Sequence, residues 1–210
     1  TVMTYRRRTL PILFSVLVLT LLTAGMGAEA QPVTSTEIQP DEELDSWIAS
    51  LGEPGEGHQV LESMVGTWEG KGTIWDGPDT EPIAITATVD RHWVLGGRYL
   101  SEEISVRSPD GQRFETRGFS GFNYEAGQYE LLTIDNASTG MVFETGKFDP
   151  DSEKLMIRGS FRDPATGYVI DSRVEMDLSQ DGRIVVVGYN RNEEGREYKS
   201  LEGAITRRKK

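Results

Sequence analysis

Residues 87–106, ATVDRHWVLGGRYLSEEISV, hold a glycine pair between two runs in which apolar and polar residues alternate. Such a pair predicts a two-residue β-hairpin turn, because glycine readily adopts the positive φ angles that these turns require. A turn at Gly96-Gly97 pairs Leu95 with Arg98 and thereby fixes every further pair of the hairpin. The pairs that follow on one face are Trp93 with Leu100, Val89 with Ile104 and Ala87 with Val106. All are apolar, so this face is predicted to point inward.

The same register places Arg91 directly opposite Glu102 on the inward face. Burial of an isolated charge is costly, so the two side chains are predicted to form a pair. One interpretation makes the pair a polar anchor in a mostly apolar cavity, able to orient a carboxylate, hydroxyl or amide of a ligand. The other is that the two charges neutralise each other and contact nothing else.

Turn signals recur at short intervals from Gly66 to the end of the chain, and segments of strand length lie between them. Short strands joined by short turns predict an all-β fold. About ten strands linked in this way favour an up-and-down meander, and closure into a barrel removes its exposed edges. The sequence therefore predicts a closed antiparallel up-and-down β-barrel of about ten strands with short N-terminal helices.

The polar faces of these strands carry full charges, for example Arg173 and Glu175 opposite the apolar Val174 and Met176. Charged outer faces argue against an outer-membrane barrel, whose outer face is apolar. The run 184–187 is apolar on both faces, so another element is predicted to cover its outer side. The candidate is a first helix, predicted from the apolar stripe Leu44, Trp47, Ile48 and Leu51.

The first 65 residues are predicted to lie outside the barrel. Residues 1–30 combine an arginine triplet, an apolar run and an A-x-A site, which is typical of a cleaved signal peptide, with an uncleaved anchor as the alternative. The protein is therefore expected to be exported, to the periplasm or beyond, with no membrane span after cleavage. Residues 31–40 are predicted to be a flexible linker, residues 41–65 a helical segment, and residues 66–208 the barrel.

Charge and composition narrow the range of partners. The formal net charge is −12, and removal of the predicted leader, with three Arg and one Glu, leaves −14. A chain this acidic repels phosphate backbones, so nucleic acid is not an expected partner. There is no cysteine, so the barrel must be stabilised by its core rather than by disulfides.

No motif for catalysis or metal binding stands out. Ser120 lies in a strand-like run without the spacing of a nucleophile elbow and is predicted to be a small core residue. His58 and His92 lack ligand partners at metal-binding spacing and are predicted to be ordinary surface or helix residues. Residues 149–153, DPDSE, lack the glycine of a calcium loop and are predicted to be a solvated turn. We expect no metal, no cofactor and no catalytic residue.

The first strand carries the motif GTWEGKG, residues 66–72, which resembles the G-x-W signature of lipocalin-like barrels. That resemblance implies that Trp68 plugs the closed end of the barrel beside Arg207 from the last strand. Four stretches, GHQVLESMVGTWEGKG, HWVLGGRYLSEE, RGFSGFNY and REYKSLEGAITRR, together resemble the bacterial domain-of-unknown-function family 1579, over residues 55–208. The resemblance implies a lipocalin-like barrel and carries over no catalytic residue. The opening motif is also similar to that of haem-binding nitrobindin-like barrels, but their ligand is a late histidine and none follows His92.

The sequence favours a barrel that binds a small, partly apolar ligand in its interior without catalysis. The candidate ligand-binding residues are Arg91, Trp93, Leu100, Glu102, Ile104, Phe114 and Phe122. The alternative is a filled barrel that acts as an envelope protein-interaction module, which would expose a sizeable apolar patch. An enzyme is a third class, without a nucleophile–base pair or metal cluster to support it. The sequence leaves the oligomeric state open.

Overall fold

The computed structural model describes residue 46, residues 52–163 and residues 166–209. The predicted leader and linker lie outside these residues. Of the first predicted helix only Ser46 is described, and it is helical. Within the predicted helical segment 41–65, residues Glu56–Glu62 form the helix α1.

Ten strands follow α1, and together they close into a single antiparallel barrel in which each strand pairs with its neighbours in sequence and the last pairs with the first. Their bounds are β1 Gly66–Ile74, β2 Ile83–Val94, β3 Tyr99–Arg107, β4 Arg113–Asn123, β5 Gln128–Asp135, β6 Val142–Asp149, β7 Lys154–Arg162, β8 Val169–Gln180, β9 Arg183–Arg191 and β10 Glu197–Arg207. The predicted all-β closed barrel is confirmed. Closure leaves none of these strands with an unpaired edge.

The predicted hairpin register is also confirmed: Arg91 pairs with Glu102 and Trp93 with Leu100. The turn itself is wider than predicted. The ladder ends at Val94 and Tyr99, and a 3-10 turn begins at Leu95. Leu95, Gly96 and Gly97 all have positive φ, at 49°, 67° and 83°. The register survives because the loop gains one residue on each side, which leaves the pairing unchanged.

The barrel closes at a seam of glycines between β1 and β10. A Cβ atom at Gly70 would lie 2.3 Å from the Ala204 carbonyl oxygen, and one at Gly72 would lie 2.7 Å from the Glu202 carbonyl oxygen. On β10, a Cβ at Gly203 would lie 2.9 Å from the Lys71 carbonyl oxygen. The glycines beside Trp68 are therefore explained by close approach of the two strand backbones.

The expectation that another element covers the outer side of residues 184–187 stays a prediction. Val185 and Val187 point outward and are partly exposed, and the candidate cover, the first helix, lies outside the described residues apart from Ser46.

Candidate functional site

The lower end of the barrel is closed around Trp68. Its indole Nε1 donates to the Met64 carbonyl oxygen over 3.0 Å, and the ring is 1% exposed. Arg207 is its partner in the β1–β10 ladder, and the guanidinium carbon lies 4.3 Å from the indole centroid. Arg207 also donates to the carbonyl oxygens of Val65 and Ser63. The two residues that the family resemblance placed together at the plug are thus in contact.

Helix α1 packs across this end and completes what we call the floor. The floor consists of the buried residues Leu61, Met64, Trp68, Leu100, Tyr129 and Leu155. The Tyr129 hydroxyl donates to the Gly57 carbonyl oxygen over 3.0 Å, and a Cβ at Gly57 would lie 2.3 Å from the Phe122 ring. Burial raises the pKa of Tyr129 to about 12. The Phe122 ring and the backbone of α1 are thus in direct contact, so the lower end of the barrel is packed solid.

His58 is a helix residue, one of the two predicted alternatives, and it is buried within α1. Its Nδ1 accepts from the Gly55 backbone N–H over 3.3 Å, and its Nε2 lies 3.2 Å from the Arg98 carbonyl oxygen. It therefore ties the start of α1 to the β2–β3 turn. His92 points outward as predicted and is 58% exposed.

Arg91 and Glu102 form an ion pair inside the barrel just above the floor, through Arg91 Nε and a Glu102 carboxylate oxygen. Arg91 is 4% exposed and the Glu102 side chain 14%. Arg91 Nη1 is buried and makes no hydrogen bond to a described residue. The pair predicted from the turn is present, and its carboxylate side is the more accessible.

A second inward carboxylate, Glu144 on β6, was missed by the sequence reading. It accepts a hydrogen bond from the Ser172 hydroxyl over 3.1 Å and lies over Gly159, where a Cβ would be 2.6 Å from the Glu144 Cγ. Burial raises the pKa of Glu144, and the nearby charge of Glu102 raises it further, whereas the Ser172 hydrogen bond lowers it. The alternation in residues 142–148 carried the signal, since Glu144 shares a face with Val142 and Phe148.

Above these carboxylates the inward side chains of the barrel are partly exposed to solvent. We call the inward-facing residues Val106, Phe114, Thr116, Val142 and Phe161 the upper wall. All five are partly or largely exposed, and Phe114 reaches 42%. These residues lie at or near the ends of their strands, so their exposure describes an accessible apolar mouth of the barrel, which we call the upper lumen.

The structure distributes the seven candidate ligand-binding residues over three levels. Leu100 is part of the floor, 1% exposed, and Trp93 and Phe122 pack beside it, with the Trp93 indole donating to Glu62 over 2.5 Å. Arg91, Glu102 and Ile104 lie at middle height, and Phe114 lies at the rim. Glu102, Ile104 and Phe114 are therefore the members that face the accessible lumen, whereas Leu100 and Arg91 are enclosed by protein.

The outer wall carries an exposed apolar row across three strands. Phe119 pairs with Leu132, and Leu132 pairs with Phe143. Phe119 is 48% and Phe143 68% exposed, and Ile134 and Met141 are exposed nearby. This row is an apolar patch of the kind that marks interaction sites on protein surfaces.

Two depressions also open on the outer wall. The first, of about 500 Å³, borders Phe143 and is lined mainly by charged and polar residues, among them Arg158, Arg173 and Asp171. The second, of about 290 Å³, is lined by outward residues of β2 to β4 such as Asp90, Glu103 and Arg117. Their charged, open walls suit an apolar ligand less well than the upper lumen does.

Among the described residues there is no cluster of three or more histidine, aspartate or glutamate side chains placed to hold a metal ion. Within the same residues, no helix has the length and apolarity needed to cross a membrane.

Comparison with known proteins assigns the chain at the level of family. The family described as "Protein of unknown function (DUF1579)" matches residues 53–207, which covers α1 and all ten strands. The chain belongs to this family. The resemblance seen in the sequence is thereby confirmed, although the family description names no activity.

Two solved structures resemble the barrel. The crystal structure of Rv2717c from M. tuberculosis is similar over 74% of this chain and 99% of its own, with 18% sequence identity and a TM-score of 0.56. The structure of EF1p2_mFAP2b bound to DFHBI covers 73% of this chain and 100% of its own, at 8% identity and a TM-score of 0.42. At 18% identity, the first supports the fold alone. No curated protein matches the chain.

Proposed function

We propose that this protein is an exported carrier, in the periplasm or outside the cell, whose lumen binds a small, partly apolar molecule without catalysing a reaction. The observation that carries the proposal is the accessible upper wall above a solid floor. Apolar inner side chains that remain in contact with water are available for burial. An apolar ligand that covers them gains a binding free energy of roughly 25 cal/mol per Å² of apolar area removed from water.

The lumen has the composition expected of a small-molecule site. Its wall is mostly apolar, with Ile104 and Phe114 as the accessible members of the predicted set, and it carries a small number of polar groups at middle height. Ligand pockets combine such a wall with a few polar groups that fix the orientation of the ligand. Glu102, Glu144 and Ser172 are the groups available for that role.

The proposal is tested by calorimetric titration with 1-decanol, a neutral and mostly apolar probe. We expect saturable binding of one decanol per chain. Ile104→Trp places an indole in the middle of the lumen and is expected to weaken binding at least ten-fold, about 1.4 kcal/mol. Ser105→Trp puts the same side chain on the outer face of the same strand and should retain the affinity of the unmodified protein.

Two results would count against the carrier. One is the absence of saturable decanol binding. The other is an equal loss of decanol affinity in Ile104→Trp and Ser105→Trp. An equal loss would mean that the probe binds outside the lumen or that both substitutions damage β3. The melting temperatures of both variants show whether a loss of affinity comes from damage to the fold or from the indole filling the lumen.

A protein-interaction module is the second candidate, and the apolar row Phe119, Leu132 and Phe143 favours it. A partner that covers this row would bury three large side chains on the outer wall. The double variant Phe119→Ser, Phe143→Ser is expected to abolish any concentration-dependent association seen by light scattering of the unmodified protein. A monomer at all concentrations, with no partner cross-linked at position 143 in the native host, would remove this candidate.

A further inference from the structure

The charges that face the lumen do not balance. By the alternation of the strands, five side chains of the described barrel that carry a formal charge point inward: Arg91, Glu102, Asp135, Glu144 and Arg207. Two of them are committed elsewhere. Arg207 lies under Trp68 and bonds floor carbonyls, and Asp135 at the rim accepts from the backbone N–H groups of Ala137 and Ser138 over 2.8 and 2.7 Å. At middle height this leaves two carboxylates and one guanidinium.

The carboxylates are also the groups that a ligand would meet. Arg91 is 4% exposed, and its charge is already paired with Glu102 through Nε. Its Nη1 is buried and makes no hydrogen bond to a described residue, so the guanidinium is less accessible to a molecule in the lumen than the Glu102 carboxylate is. Glu102 is 14% exposed, and Glu144 is partly exposed on a neighbouring part of the wall. Glu144 has one neutral hydrogen-bond partner, the Ser172 hydroxyl, and no described cation within ion-pair distance.

We propose that the lumen selects by charge and binds apolar molecules that carry an ammonium or similar cationic group, with the cation held by Glu144 and Glu102. This inference rests on the proposed function, because it names the class of ligand for the same lumen. A cation there would pair with the unmatched negative charge, whereas a carboxylate would meet two of its own sign. A hydrogen bond to a charged group is stronger than one between neutral groups, and it is enough for a discrimination of about ten-fold or more.

The proton on Glu144 adds a pH signature to the proposal. Since burial and the charge of Glu102 raise the pKa of Glu144, its carboxyl keeps a proton to higher pH than an exposed glutamate. A cation binds the ionised form, so it must displace that proton. The preference for a cationic ligand should therefore grow as the pH rises from about 4.5, the ordinary value for glutamate, towards neutrality.

The test compares three probes that share a ten-carbon chain: decylammonium, 1-decanol and decanoate. At pH 7.5 we expect decylammonium to bind about ten-fold more tightly than 1-decanol, and decanoate to bind more weakly than either. Glu144→Gln keeps the size of the side chain and an acceptor for Ser172, and is expected to lower decylammonium affinity about ten-fold. Glu130→Gln, an exposed outward glutamate on β5, is the matched control and should leave all three affinities unchanged.

The outcomes separate this inference from the proposed function. Decanol binding without an advantage for decylammonium would overturn the charge preference and leave the carrier intact. Tighter binding of decanoate would overturn it too, and would identify Arg91 as the anchor. If none of the three probes shows saturable binding, the proposed carrier function is contradicted, and so is the charge preference that rests on it.

Discussion

At the floor of the barrel Trp68 and Leu155 are 1% exposed, whereas on the upper wall of the same ten strands Phe114 is 42% exposed. The polar groups follow the same division. The Trp68 and Tyr129 donors have backbone acceptors at the floor, and Glu144, higher up, has a single hydroxyl as its described partner. One end of the barrel therefore carries the packing that stabilises the fold, and the other end leaves apolar surface available for a ligand.

The largest effect on stability should follow from breaking the floor. Trp68→Ala removes the indole between Met64 and Arg207 and leaves a cavity that the rigid strands cannot collapse around. We expect the free energy of unfolding to fall by about 3–5 kcal/mol in urea denaturation. A loss below about 1 kcal/mol would mean that the floor is not the stabilising end.

A smaller effect is expected at the seam that closes the barrel. In Gly70→Ala the new methyl group would lie 2.3 Å from the Ala204 carbonyl oxygen, so β1 and β10 must separate. Overpacking of this kind costs about 1–3 kcal/mol. Gly140→Ala is the control, because it adds the same methyl group where no atom lies within 4 Å. Equal melting temperatures for the two variants would show that the seam tolerates the added volume.

On the upper wall the same type of truncation should matter less for stability and more for binding. Phe114→Ala removes a side chain that is already 42% in water, so we expect a loss of about 1 kcal/mol in unfolding free energy. Decanol affinity should fall several-fold in calorimetry, because Phe114 lines the entrance. A stability loss as large as that of Trp68→Ala would erase the distinction between the two ends.

The finest distinction is the pH dependence contributed by Glu144. Because its pKa is raised in the folded state, its contribution to stability is greatest at low pH and is lost as the pH rises through the folded-state pKa. Glu144→Gln should therefore be more stable than the unmodified protein at pH 7, and the advantage should shrink towards pH 4.5. Urea midpoints at the two pH values measure it, with Glu130→Gln as the control. An advantage that does not change with pH would mean that Glu144 titrates normally.

Much of the fold could be predicted from local sequence. A glycine pair fixed the β2–β3 register, because in a hairpin one turn determines every pair behind it. Regular turn signals predicted the number of strands and the closed meander. The pairing of Arg91 with Glu102 followed from the same register, since both residues lie on one hairpin.

Contacts that depend on the alignment of three or more strands could not be predicted from local sequence. Glu144 meets Ser172 only through the combined alignment of β6, β7 and β8, and the outer row of Phe119, Leu132 and Phe143 needs that of β4, β5 and β6. The height of a residue in the barrel also depends on strand tilt and on the position of α1. Leu100 and Phe114 therefore share a predicted face, yet one lies in the floor and the other at the rim.

The most direct test of an open lumen above a closed floor is a crystal structure of the protein with 10-bromo-1-decanol, with the bromine located by anomalous scattering. We expect one strong peak inside the barrel, between Ile104 and the rim at Phe114. A peak confined to the outer wall beside Phe119 and Phe143, or no peak from a crystal grown with the compound, would contradict an open lumen.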